Sequence, residues 1–132
     1  MENKPMTDLV IIRGPSGSGK TTYAKENFPA HNLVEADTYF MHGEEYRFDP
    51  SKLKQAHEWC QSEVKRLLDT GHRVVVANTF TRHWEMRPYF DLFPNTRVYR
   101  MTGEYQNTHG VPVEAVQRMR DRVEDYKGET VI

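Results

Sequence analysis

Apolar residues fall in short bursts along this chain, and the bursts switch between two kinds of pattern. Leu9-Val10-Ile11-Ile12 is an unbroken run, as a strand covered on both faces requires, and Val10–Ile12 is the predicted first strand. A glycine-rich stretch follows. The polar segment from Lys20 to about Asn27 then predicts a helix, stopped by Pro29. Asn32–Ala36 reads as a short second strand, ending at Asp37-Thr38-Tyr39-Phe40. From Met41 to Phe48 no period emerges, and the segment is predicted to be a loop.

The second half is more regular. Asp49-Pro50-Ser51 marks a helix start, with Pro50 near the first helical position. Leu53, Ala56, Cys60, Val64, Leu67 and Leu68 recur at three- and four-residue spacings, and Thr70-Gly71 closes that helix. His72–Ala77 carries three consecutive valines and is the third strand. Thr81–Phe90 predicts a helix that Pro88 threatens to break. Thr96–Met101 is the fourth strand. Pro112–Tyr126 is the last helix, with Val113, Val116, Met119, Val123 and Tyr126 on one face, and Thr130–Ile132 adds a short final strand. Strands alternating with helices predict an α/β fold: a small, four- to five-stranded, mostly parallel sheet flanked by helices, in one domain over residues 1–132. Ligands of such sheets sit at the carboxyl ends of the strands.

The turn after the first strand carries the chemistry. Gly14-Pro15-Ser16-Gly17-Ser18-Gly19-Lys20-Thr21 is a complete G-x-x-x-x-G-K-S/T phosphate-binding loop, a pattern that roughly one random chain in two hundred of this length would match. A strand before it and a helix opening at Thr22 are the context that the mechanism needs. The backbone N–H groups wrap a polyphosphate, Lys20 reaches its outer phosphates, and the Thr21 hydroxyl ligates Mg²⁺. Asp37, at the end of the next strand, is placed to accept a proton from an incoming hydroxyl, or else to cap a helix. Asp37, Tyr39, Asn78, Thr79 and Arg82 are the candidates for the acceptor side. Enzymes with such a loop normally carry an Asp near the third strand's end; here the residue is Ala77, followed by Asn78 and Thr79.

Other features admit two readings each. The polar stretch Gly103–Pro112 suits a lid over bound triphosphate, with His109 on a phosphate oxygen, and equally suits a surface connection. Arg118, Arg120 and Arg122 fan across different faces of the last helix, among Asp121, Glu124 and Asp125, as a solvated face does. His57 and Cys60 have metal-ligand spacing, but no partner His is suitably spaced, which favours core packing. Trp59, Trp84, Tyr89, Phe90 and Phe93, near Arg82, Arg87 and Arg97, suit either base stacking or packing.

Composition narrows the picture without redirecting it. The 132 residues hold 18 Lys and Arg against 19 Asp and Glu, so no overall field draws the protein onto a polyanion. Mean hydropathy of -0.80 describes a polar chain, and no apolar stretch approaches the ~20 residues of a membrane span. The single cysteine, Cys60, excludes an internal disulfide, and Met1–Met6 lacks the apolar core of a signal peptide. The expected compartment is the cytoplasm.

Taken together, these motifs resemble the polynucleotide-kinase-like P-loop kinases. The likeness runs from Ile11 to about Tyr126 and rests on Arg13–Thr22, Ala36–Phe40, Ala56–Cys60, Asn78–Glu85 and Asn107–Pro112. It implies a P-loop kinase fold, ATP and Mg²⁺ as cofactors, and transfer of the γ-phosphoryl to a hydroxyl, with Asp37 as general base. Three positions depart from the family. Ala77 replaces an Asp, Gln106 replaces a basic lid residue, and Phe40 falls where the polynucleotide kinases carry an arginine near the acceptor. The favoured acceptor is the 5′-OH of a nucleic acid or a nucleotide-like molecule. The departures leave open a nucleotide-binding module acting through a macromolecular partner, and neutral net charge leaves open a small-molecule or protein kinase.

Overall fold

The computed structural model describes residues 8–105 and 110–132. Its centre is a five-stranded sheet in the order β2-β5-β1-β6-β7, with every neighbouring pair parallel. The strands are β1 (Asp8–Arg13), β2 (Asn32–Val34), β5 (Arg73–Asn78), β6 (Arg97–Arg100) and β7 (Thr130–Val131). The expected four to five strands are therefore five. Helices α1 (Lys20–Asn27), α2 (Leu53–Asp69), α3 (His83–Leu92) and α4 (Val113–Arg122) connect them. Among the described residues, no helix is long and apolar enough to cross a membrane.

Alternation along the central strands explains the continuous apolar runs. Leu9, Ile11, Val74, Val76 and Val98 face one layer, where Ala56, Cys60, Val64 and Leu67 of α2 pack with Met86 and Tyr89 of α3. Val10, Ile12, Val75 and Ala77 face the other, against Ala24 of α1 and Met101. Both sides of β1 and β5 are dry, so neither strand has room for a polar face. Cys60 is fully buried in the first layer, which is the packing role expected of it. Tyr89 is buried edge-on to Phe80, and Phe90 stacks on Tyr126 at 5.3 Å, so these rings are spent on packing; Trp84 is 73% exposed.

Three elements differ from expectation, and a fourth, the helix holding Pro88, forms as expected. Met41–Phe48 is not a plain loop: β3 (Met41–His42) and β4 (Glu45–Tyr46) form an antiparallel hairpin, whose strands are too short to show a period. Its turn passes through Gly43 at φ +65°. The second strand stops at Val34, and Ala36–Phe40 coils into a 3-10 turn, because the Ala36 N–H bonds the Asn78 side chain instead of a strand partner. Pro88 lies inside α3 without ending it; the carbonyl it leaves unpaired belongs to the exposed Trp84. The last helix ends at Arg122 rather than Tyr126. There the Glu124 N–H donates to the Thr81 carbonyl at 2.8 Å and the Glu124 carbonyl accepts from Arg13 at 2.7 Å, and both bonds pull the chain out of the helix.

Arg13 is the key to this closure. Fully buried, it bonds the Phe80 carbonyl through Nε (3.0 Å) and Nη2 (2.7 Å), and the Thr81 carbonyl at 3.3 Å. Its Nη1 meets the Glu124 carbonyl and, at 2.9 Å, the Glu129 carboxylate, which is itself only 5% exposed. Removing one member of a buried, bonded pair typically costs about 3–5 kcal/mol. Arg13→Met should therefore lower unfolding free energy in urea by about that amount. Glu129→Gln, which keeps an acceptor and three backbone carbonyls for Arg13, should cost less, about 1–3 kcal/mol.

Candidate functional site

Strand β1 delivers the glycine-rich turn between the ends of its two neighbours. The Gly14 N–H donates to the Thr79 carbonyl beyond β5 at 3.1 Å, and the Met101 N–H beyond β6 donates to the Arg13 carbonyl at 2.7 Å. Gly14 has no room for a side chain: a Cβ there would lie 2.7 Å from the Met101 carbonyl oxygen and 2.6 Å from Ser18 Oγ. Its φ of +150° disfavours any other residue as well. The Tyr105 N–H donates to the Gly17 carbonyl at 2.7 Å, and its ring packs close to Gly19.

Within this turn, Lys20 Nζ folds back onto the Gly14 and Pro15 carbonyls at 2.9 and 3.0 Å. Burial lowers its ammonium to a pKa of about 8, against the opposing pull of Asp37 and then Glu35. The Ser18 hydroxyl is buried with no hydrogen-bond partner among the described residues. A partly buried cation and a hydroxyl left unpaired among the described residues, in a glycine-rich turn at a helix N-terminus, are what a polyphosphate would satisfy. The Thr21 hydroxyl donates to Glu35 Oε2 at 2.6 Å. Hydroxyl and carboxylate oxygens are hard donors of the kind Mg²⁺ prefers, so these residues fit the ion.

Asp37 lies inside the 3-10 turn after β2, with Glu35 in the position before that turn, so Asp37 is not its cap residue. It is exposed, and the Tyr46 hydroxyl donates to its Oδ1 at 3.2 Å. Burial and the Asp37 charge hold that phenol well above its ordinary pKa, which keeps it a donor. Asn78 accepts from the Ala36 N–H at 2.9 Å and points its amide at Cys60 Sγ at 3.6 Å, so it secures the turn carrying Asp37.

The loop residues, Asp37, Asn78 and Thr79 thus gather at the carboxyl edge of the sheet, as expected. Thr79 contributes its carbonyl to Gly14. Ser16 Oγ contacts Met119 Sδ of α4 at 3.6 Å, and Thr22 is exposed on α1. Tyr39 donates to Gln55 at 3.3 Å and tilts against Trp59. Arg82 turns toward the C-terminal segment and faces Glu124 at 3.5 Å. His109 and Gln106 lie outside the described residues. Sequence reasoning missed Glu35, Tyr46 and the buried role of Arg13. Glu35 hid inside a predicted strand, Tyr46 in a predicted loop, and an arginine after four apolar residues reads as a strand's polar end.

Strand, glycine-rich turn, helix and an acidic strand end, arranged on a five-stranded parallel sheet, define a P-loop domain of the kinase-like α/β fold. Residues 9–102 match the model of the AAA domain family AAA_33, and the chain belongs to that family. Human NEDD4-binding protein 2 is 29% identical over 94% of this chain, which spans 8% of that protein's length. An uncharacterized protein of Pasteurella multocida is 31% identical over 86% of this chain and 75% of its own. Among solved structures, a sugar kinase from Janibacter superposes at TM-score 0.71 and 17% identity, covering 96% of this chain and 83% of its own. The Pnkp1/Rnl/Hen1 RNA repair complex contains a chain that matches at 0.69 and 15%, covering 92% and 45%. Chaetomium thermophilum Kti12, in complex with ADP-AlF3, matches at 0.63 and 13%, covering 94% and 88%. At these identities the structural likeness is one of fold.

Lys20 titrates near pH 8, and a bound triphosphate favours its charged form. Nucleotide binding should therefore take up protons around pH 8 to 9, and affinity should fall as pH rises through that window. Calorimetry in buffers of different ionisation heat reads the uptake directly. Proton release at pH 8 would contradict the placement of Lys20.

Proposed function

We propose that this domain is an ATP-dependent phosphotransferase that moves the γ-phosphoryl group of Mg-ATP to a hydroxyl, with the 5′-OH of a polynucleotide or nucleotide-like molecule as acceptor. The observation that carries the reading is the conjunction of Lys20, held in a phosphate-binding turn after β1, with Asp37 in the 3-10 turn that follows β2 at the same edge of the sheet, where its charge opposes the lowering of the Lys20 pKa by burial. In this reading the loop N–H groups and Lys20 hold the outer phosphates. Asp37 accepts the acceptor's hydroxyl proton as the new O–P bond forms and the bond to the departing ADP breaks. The Tyr46 hydroxyl orients the carboxylate. Mg²⁺, held through Thr21, would neutralise charge on the phosphates. Positioning and charge supply the rate, with little covalent work for the protein.

The acceptor class is supported by a groove of about 540 Å³ beside the 3-10 turn. Tyr39 and the half-exposed Phe48 offer aromatic surface there, and Lys52 and Arg47, the latter paired with Glu45, offer positive charge beside Asp49. Stacking faces beside cations suit a base joined to a phosphate. One observation favours a second reading, a nucleotide-binding module without strong turnover: Ala77 carries no carboxylate at the end of β5.

Incubation with γ-labelled ATP separates these readings. The substrates are 5′-OH DNA, 5′-OH RNA, nucleosides, nucleoside monophosphates, small sugars and the protein alone. Transfer to a 5′-OH class is the expected result; transfer to sugars or none at all would overturn it. Lys20→Ala should abolish nucleotide binding by calorimetry. Asp37→Asn should keep ATP affinity and lower kcat by about 10²–10⁴-fold, the range for a general base.

A further inference from the structure

Ala77 leaves the end of β5 without the acidic side chain that P-loop enzymes use to steer the metal. The sheet register shows what stands next to it. Strand β2 pairs in parallel with β5, Leu33 beside Val75 and Val34 beside Val76, so one further step brings Glu35 alongside Ala77. The bond from the Ala36 N–H to Asn78 Oδ1 keeps the two chains aligned beyond that point. Faces agree as well. Val34 and Val76 look into the α2 layer, whereas Val75 and Ala77 look toward Ala24 of α1. Laterally paired residues share a face, which puts Glu35 on the side of α1. Its carboxylate completes the geometry by accepting from Thr21 on that helix at 2.6 Å.

We propose that Glu35 is the metal-positioning carboxylate of this domain, replacing from the neighbouring strand the group that Ala77 lacks. Its extra methylene, relative to an aspartate, spans part of the sideways step between strands. This assignment rests on the reading of the loop as a Mg-nucleotide site. It deepens that reading by naming a residue that neither periodicity nor motif spacing singles out.

The test measures binding of a fluorescent ADP analogue, first with a metal chelator present and then during Mg²⁺ titration. Glu35→Gln keeps the side-chain shape and an acceptor for Thr21. It should leave metal-free nucleotide binding within about twofold while raising the half-saturating Mg²⁺ concentration about tenfold or more, the usual scale for a partner that orients a metal's ligands. Adding Ala77→Asp to that variant should recover most of the Mg²⁺ dependence. An unchanged Mg²⁺ titration in Glu35→Gln overturns the assignment. So does a loss of metal-free binding that Ala77→Asp does not relieve, since Glu35 would then be holding the fold. If the parent protein binds the analogue under neither condition, the nucleotide-site reading falls too; intact binding with an unaltered titration sinks the Glu35 assignment alone.

Discussion

A single buried guanidinium ties together segments that are more than a hundred residues apart. Arg13 ends β1 and has no access to solvent, and stripping water from such an ion costs several kcal/mol. That cost is met because all five of its N–H donors find acceptors: the Phe80 carbonyl twice, then Thr81, Glu124 and Glu129. Glu129 is buried in turn, and its second oxygen accepts from Arg100 and the Tyr126 N–H. Phe80 adopts a left-handed φ of +44° beside this cluster, a conformation a bulky residue keeps only when its surroundings enforce it. The turn after β5, the exit from α4 and the edge strand β7 all depend on this one charge. So does the phosphate-binding turn, which starts at the very next residue.

The site inherits that rigidity unevenly. Its donor side is built from strand ends, with Gly14 wedged between Thr79 and Met101 and no room for a Cβ. Burial draws the Lys20 ammonium down to a pKa of about 8 against the opposing pull of two carboxylates, so the turn keeps a cation that an anion would stabilise. The Asp37 side is built from a 3-10 turn and a two-rung hairpin. It is joined to the sheet through the Asn78 side chain and to α2 through Phe40 and the ring of Tyr39.

Much of this was legible in the sequence because two patterns are strong there. The runs Leu9–Ile12 and Val74–Ala77 announce central strands, and Ala56, Cys60, Val64 and Leu67 announce the buried face of α2. The phosphate-binding turn is encoded locally, residue by residue, so it could be read without knowing the fold. What escaped is set by contacts across the chain. Nothing near Val123 says that the helix must end early; the reason lies at Arg13 and Thr81. Glu35 carries no local signal either. Its meaning comes from the strand beside it and from a helix fourteen residues upstream.

The hairpin Met41–Tyr46 has a consequence of a different kind. Its rungs pair with each other and not with the central sheet, and the Arg47 N–H closes the segment onto the Phe40 carbonyl at 2.8 Å. Apart from Tyr46, which packs on the core and bonds Asp37, residues there can be exchanged without disturbing the register of any core strand or the buried charge cluster. The fold therefore separates a half fixed by core register and buried charge from a surface hairpin that reaches the site through Tyr46. What Met41–Glu45 present beside Asp37 can therefore change while the phosphate-binding turn stays as it is.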